Sequence, residues 1–214
     1  MRYDAYIFDL DGTLIDSAPG IHAAVLRMCG ELGLAEPDLT TVKGFIGNGV
    51  PRLVERVLDW AGADADRRGE ALTAMNAAYA ADPSGGTEVL PGARNMLAGL
   101  AGRGTPLGLC TNKPEGPTRA ILRDFTLGPF AVVVGGDTLA RRKPDPAPLR
   151  HVAEGLGVAI ERTLYVGDSE VDWQTARAAG MSYAHLRGGY QNGPVPQDGP
   201  ALWLDRLEDL LRSD

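Results

Sequence analysis

Cysteine is scarce: Cys29 and Cys110 are the only two in 214 residues. Neither falls in a C-x-x-C or Cys/His ligand spacing, which argues against zinc. Both sit in apolar patterns and read as small buried hydrophobes. Positive charge is in deficit, with 21 Lys and Arg against 28 Asp and Glu, a net charge of −7. That balance excludes a general nucleic-acid binder, which needs a basic footprint. The one basic run, Arg141-Arg142-Lys143, reads as a solvated loop for its two arginines. No apolar stretch approaches the ~20 residues that span a bilayer, so no membrane partner is expected. The chain enters its first strand within a few residues, with no secretory pattern ahead of it. The expected setting is the cytoplasm.

What is present is ordinary for a globular protein: 44% hydrophobic and 23% charged residues. The length accommodates one large domain, or a core plus a smaller unit. Tyr3 to Leu10 reads as a buried strand. From Ile21 the apolar spacing turns helical through Val25, Met28, Cys29 and Leu32, with Pro19 suited to a first turn and Gly33 to a stop. A second helix follows Gly49-Val50-Pro51, and a third, Ala-rich one spans about 66–81. Asp82-Pro83-Ser84-Gly85-Gly86 punctuates the end of this block. After it, helices near 93–102, 117–125, 147–156 and 170–179 alternate with strands near 106–110, 130–134, 163–166 and 182–186. A last helix is expected at 205–212. The pattern predicts an α/β fold: a Rossmann-like core with a parallel sheet flanked by helices. The core comprises 1–16 and 87–214. A small all-helical cap domain, 17–86, is inserted after the first strand.

In such a sheet ligands bind beyond the carboxyl ends of the strands. Four strand ends carry polar groups there: Asp9/Asp11, Thr111-Asn112-Lys113, Gly135-Gly136-Asp137 and Gly167-Asp168-Ser169. Asp9 and Asp11 are two apart, so a strand points both to one side. Two carboxylates that close need a cation between them or a proton on one. The pair therefore suits a Mg2+ site and acid–base chemistry together. Asp168 and Asp172 are four apart at a helix start and face the same way.

The string Phe8-Asp9-Leu10-Asp11-Gly12-Thr13 resembles the first motif of the haloacid dehalogenase-like superfamily of phosphohydrolases. Thr111 after an apolar strand, Lys143 in Lys143-Pro144-Asp145-Pro146, and Gly167-Asp168-Ser169-Glu170-Val171-Asp172 resemble its other three motifs, in order. The resemblance implies that Asp9 is a nucleophile forming an aspartyl-phosphate and that Asp11 is the general acid and base. The dehalogenase branch lacks the second Asp, so phosphate chemistry is implied over C–Cl cleavage. Thr111 and Asn112 are expected on phosphate oxygens, and Lys143 on Asp9 and the phosphate together. Mg2+ is expected on Asp9, the Asp11 backbone carbonyl, Asp168 and Asp172.

Thr111-Asn112-Lys113-Pro114 and the Gly47-Asn48-Gly49 loop with Arg52 look like the phosphoglycolate phosphatase branch. Gly47, Asn48 and Arg52 are then expected to hold a small anion from the cap. The implied enzyme is a phosphoric monoester hydrolase, Mg2+-dependent, taking 2-phosphoglycolate to glycolate and phosphate. Its partner is a small-molecule phosphate ester, and the chain is a monomer or homodimer. The alternatives are a β-phosphoglucomutase-like mutase, or a phosphatase of a sugar phosphate, nucleotide or pyrophosphate. Phosphonoacetaldehyde hydrolase would need a cap lysine, for which only Lys43 is present. A receiver-like phosphoacceptor would have no helical insertion. His22, His151 and His185 read as structural or exposed, and Tyr165 and Trp173 as core. Gly188-Gly189-Tyr190 borders the rim.

Overall fold

The computed structural model describes residues 3–212. Strand β1 (Ala5–Phe8) is followed by a two-residue strand, β2 (Ile15–Asp16). Helices α1 (Ala18–Leu32), α2 (Leu39–Lys43), α3 (Val50–Trp60) and α4 (Arg68–Ala81) come next, then β3 (Glu88–Val89). From there helix and strand alternate: α5 (Ala93–Gly102), β4 (Leu107–Cys110), α6 (Glu115–Asp124), β5 (Val132–Val134), α7 (Ala147–Leu156), β6 (Thr163–Gly167), α8 (Glu170–Ala179) and β7 (Ser182–Leu186). Strand β8 (Leu202–Leu204) is last.

Six strands form one sheet in the order β5-β4-β1-β6-β7-β8, every pair parallel. β1 is central and buried on both faces, which is why its residues read as an unbroken apolar run. Its side chains still alternate. Tyr6 and Phe8 pack with Met96, Leu97 and Leu100 of α5 on one face. Ile7 packs with Leu149 and Val152 of α7 and Ala176 of α8 on the other. The chain runs from β1 to β4 and β5 on one side, then crosses to β6 on the other. That reversal opens a crevice at the carboxyl ends of β1, β4 and β6.

The helices α1 to α4 have a core of their own, including Val25, Met28, Val57, Ala71 and Met75. Tyr190, from beyond β7, joins that cluster. Pro19 stands in the first turn of α1 and Gly33 caps its end at φ 64°, as the sequence pattern expects. Two features differ. The junctions of the block pair with each other, β2 antiparallel to β3 with Ile15 opposite Val89, so the block stands on a two-stranded stalk. The last helix expected at 205–212 is instead a 3-10 turn at Leu207–Leu211. β8, which the sequence pattern does not mark, holds Leu202 and Leu204 in the sheet beside β7. Among the described residues no helix is long and apolar enough to cross a membrane.

Candidate active site

Asp9 follows β1, Thr111 follows β4, and Asp168 follows β6, so the crevice collects all three. Asp9, Asp168 and Asp172 are buried, and each offers an oxygen within 4.8 Å of the others. Lys143 reaches into them from the loop before α7. Its Nζ lies 2.9 Å from Asp9 Oδ1, an ion pair by distance although the angle makes no hydrogen bond. The same ammonium donates to Asp172 Oδ1 at 2.7 Å and to the Tyr165 hydroxyl at 2.9 Å.

Asp172 has a second task. It is the third residue of α8 and forms a capping box with Ser169, whose Oγ donates to Asp172 Oδ2 at 2.6 Å. Tyr165 donates to its other oxygen at 2.7 Å. Asp172 therefore anchors Lys143 with both oxygens already engaged. Asp168 accepts from Thr13 Oγ1 at 2.7 Å and from the Tyr190 backbone N–H at 2.6 Å. Glycine makes this approach possible: a Cβ at Gly12, where φ is 84°, or at Gly189 would strike the Asp168 carboxylate.

Three carboxylates share one lysine, and their protonation follows. Burial pushes Asp9 up to about 7, only partly opposed by Lys143, with Asp172 adding to the rise. Burial, then the charges of Asp172 and Asp9, hold Asp168 well above the ordinary range. Burial works against ionised Asp172 too, but Lys143 outweighs it and keeps that carboxyl low. Burial likewise works against the Lys143 ammonium, yet Asp172 and Asp9 hold it charged. Two hard oxygen donors disfavoured as anions, side by side, form a site that a divalent oxygen-seeking cation fits. Asp9 and Asp168 each offer such an ion an oxygen, with Asp172 behind them.

Asp11 turns elsewhere. Its Oδ1 accepts from Ser17 Oγ at 2.5 Å and meets Lys113 Nζ at 2.8 Å. Its side chain is thus not in the carboxylate cluster. A cavity opens between the strand ends and the helical block. Asp9, Asp11, Thr111 and Lys113 line one side, and Ile21, Ile46, Val50, Leu53, Met75 and Tyr79 the other.

The expected anion loop is only partly there. Gly47 lines the cavity, but its carbonyl accepts from Asn112 Nδ2 at 3.0 Å. Asn112 also donates to the Lys143 carbonyl at 3.0 Å, so its amide clamps the helical block to the core. Asn48 and Arg52 do not line this cavity; they line a separate outer one. Arg52 pairs with Glu55 at 2.7 Å, with its side chain 57% exposed. A residue in the first turn of α3 two places beyond Val50 faces away from the crevice, which spacing along the chain does not reveal.

Four residues of the site lack a role in the sequence reading: Lys113, Tyr79, Tyr165 and Tyr190. Lys113 stands in the Thr-Asn-Lys-Pro string and Tyr190 in a glycine-rich turn, and both were visible as motifs without a task. The Tyr190 hydroxyl accepts from the N–H groups of Ser17 and Ala18 and donates to Asp16 Oδ1 at 2.5 Å. One residue thereby spans Asp168 and the root of the helical block. His22 makes a hydrogen bond with the Pro37 carbonyl, and His185 is buried against Tyr183.

Residues 6–186 match the family pattern described as haloacid dehalogenase-like hydrolase. A phosphoglycolate phosphatase of Cereibacter sphaeroides (strain ATCC 17029 / ATH 2.4.9) is 49% identical over 212 residues, 96% of either chain. One of Rhodospirillum rubrum is 45% identical, over 96% of this chain and 88% of its own. Among solved structures, a predicted phosphoglycolate phosphatase of Haemophilus somnus 129pt superposes with a TM-score of 0.91 at 28% identity, covering 100% of this chain and 98% of that one.

Proposed function

The chain belongs to the haloacid dehalogenase-like hydrolases, and we propose that it is a Mg2+-dependent phosphatase converting 2-phosphoglycolate to glycolate and phosphate. In this reading 17–86 is a cap closing over a core of 1–16 and 87–214. A carboxylate oxygen of Asp9 attacks phosphorus, and the bond to the ester oxygen breaks. Asp11 gives its proton to that departing alkoxide oxygen. Asp11 then takes a proton from the water that attacks the aspartyl-phosphate, and phosphate leaves. Lys143 holds Asp9 in place and offsets the charge gathering on the phosphoryl oxygens. Thr111 supplies a hydroxyl to the same oxygens. Asp9, Asp168 and the Asp11 carbonyl would hold Mg2+, with Asp172 acting through a bound water, and the ion would supply further charge neutralisation at the phosphoryl group. Two unpaired, buried cysteines need no oxidising compartment, and a cytoplasmic location is part of this reading.

The observation that carries the reading is the cavity itself. Asp9 and Asp11 share its floor, and its far side is mostly apolar. A sugar phosphate needs several polar partners there, which weighs against a mutase. The test is phosphate release from 2-phosphoglycolate, sugar phosphates, nucleotides and pyrophosphate, each with Mg2+ and with EDTA, with Asp9→Asn as blank. A lead of tenfold or more in kcat/KM for 2-phosphoglycolate, about 1.4 kcal/mol, is expected. A flat panel would refute the substrate, and an active Asp9→Asn the chemistry.

A further inference from the structure

A carboxylated substrate needs a cation at the leaving-group end, and Arg52 does not provide it. Among the residues lining the cavity, Lys113 has the one cationic side chain. It is 2% exposed, and its Nζ rests between Asp11 Oδ1 at 2.8 Å and the ring of Tyr79, 4.8 Å from the centroid. Tyr79 comes from α4 of the helical block and lines the same cavity. Its buried hydroxyl finds no acceptor, because the Lys113 ammonium beside it is itself a donor. Buried hydroxyls are seldom left so, because the donor gives up water and gains nothing. A charged donor and an idle one therefore stand together beside the proposed general acid. On the side of the helical block the cavity is otherwise apolar.

We propose that Lys113 and Tyr79 form the cradle for the carboxylate of the leaving group. The proposal rests on the phosphatase reading and adds the feature that selects an acidic leaving group. In the resting protein the Lys113 ammonium is neutralised by Asp11. A substrate carboxylate takes over that ammonium and accepts from the Tyr79 hydroxyl, which frees the Asp11 carboxylate to take up a proton from water and present it to the ester oxygen. Tyr79 is on the cap and Lys113 on the core, so the cradle is complete only when the two are together.

The test compares kcat/KM on 2-phosphoglycolate with that on 2-hydroxyethyl phosphate and on the neutral amide of 2-phosphoglycolate. Wild type is expected to favour the carboxylate over the amide by about 100-fold, since a buried charged donor left unpaired rejects the analogue. Lys113→Met should lose about 100-fold on 2-phosphoglycolate and less than about fivefold on 2-hydroxyethyl phosphate. Tyr79→Phe keeps the ring, removes only the idle hydroxyl and should fold normally. It should lose about tenfold, again on the carboxylate alone. Equal losses on both esters would show that these residues only position Asp11, and would overturn the cradle while leaving the phosphatase reading intact. A wild type with no preference for the carboxylate over the amide would overturn the cradle even if Lys113→Met did not fold. Wild type without phosphatase activity on any ester would remove the parent reading as well.

Discussion

Lys143 Nζ donates to Asp172 Oδ1 at 2.7 Å, and that contact places the single ammonium of the carboxylate cluster. Asp172 is held in turn by Ser169 and Tyr165, so Lys143 is fixed by a carboxylate that has no freedom to move. The same ammonium lies 2.9 Å from Asp9 Oδ1. One residue thus serves both the stability of the site and its chemistry.

Replacing Lys143 with Met should therefore cost both. Breaking a buried ion pair from one side leaves an uncompensated charge and typically costs about 3–5 kcal/mol. The melting temperature at neutral pH should fall, and addition of Mg2+ should recover part of it. kcat should drop by at least about 100-fold, the usual cost of one preorganised electrostatic partner. Thermal denaturation and steady-state kinetics check the two effects separately.

The carboxylates also set a pH dependence for the metal-free protein. Asp9 is pushed up to about 7 and Asp168 well above the ordinary range, both mainly by burial. Unfolded, each titrates near the usual aspartate value of about 3.9. Between those limits the folded state binds more protons than the unfolded one. Stability contributed by these groups is therefore full at about pH 4 and declines as pH rises through about 7. Urea denaturation in EDTA should show wild type losing stability over that range faster than Asp9→Asn. With Mg2+ present the slope should flatten, because a cation replaces the protons. A wild-type curve parallel to that of Asp9→Asn would contradict this.

Arg52 gives a prediction of the opposite kind. It is exposed, paired to Glu55 within the same helix, and outside the cavity. Arg52→Ala should change kcat/KM by less than about threefold and leave the melting temperature nearly unchanged, since an exposed ion pair is screened by water. A tenfold loss on 2-phosphoglycolate would return Arg52 to the substrate site. In the sequence, a glycine loop followed by a first-turn Arg resembles an anion site. The fold turns that side chain outward.

The same contrast runs through the whole chain. Helices such as Ala147–Leu156 and Glu170–Ala179 were legible because apolar spacing and end signals are local. Asp9, Thr111 and Asp168 were legible as strand-end residues, since a parallel sheet brings all such ends to one rim. What was not legible depends on partners far along the chain. Lys113 acquires its place from Asp11, and Tyr190 from Asp16, Ser17 and Asp168. Tyr165 looked like core and is core, but its hydroxyl sits between Lys143 and Asp172. Leu202–Leu204 carries no element in the sequence pattern and joins the sheet in the fold, because β7 offers an open edge. The stalk of β2 and β3 pairs residues more than 70 positions apart, beyond any local signal.

The central claim is that Asp9 accepts the phosphoryl group. The most direct test is acid quench of the enzyme turning over 2-phosphoglycolate labelled at phosphorus, followed by peptide mapping. Label should appear on the peptide holding Asp9, be released by hydroxylamine, and vanish on a chase with unlabelled substrate. Asp9→Asn should carry none. Label on another residue, or turnover by a wild-type enzyme that never acquires label even at the earliest quench, would contradict the account.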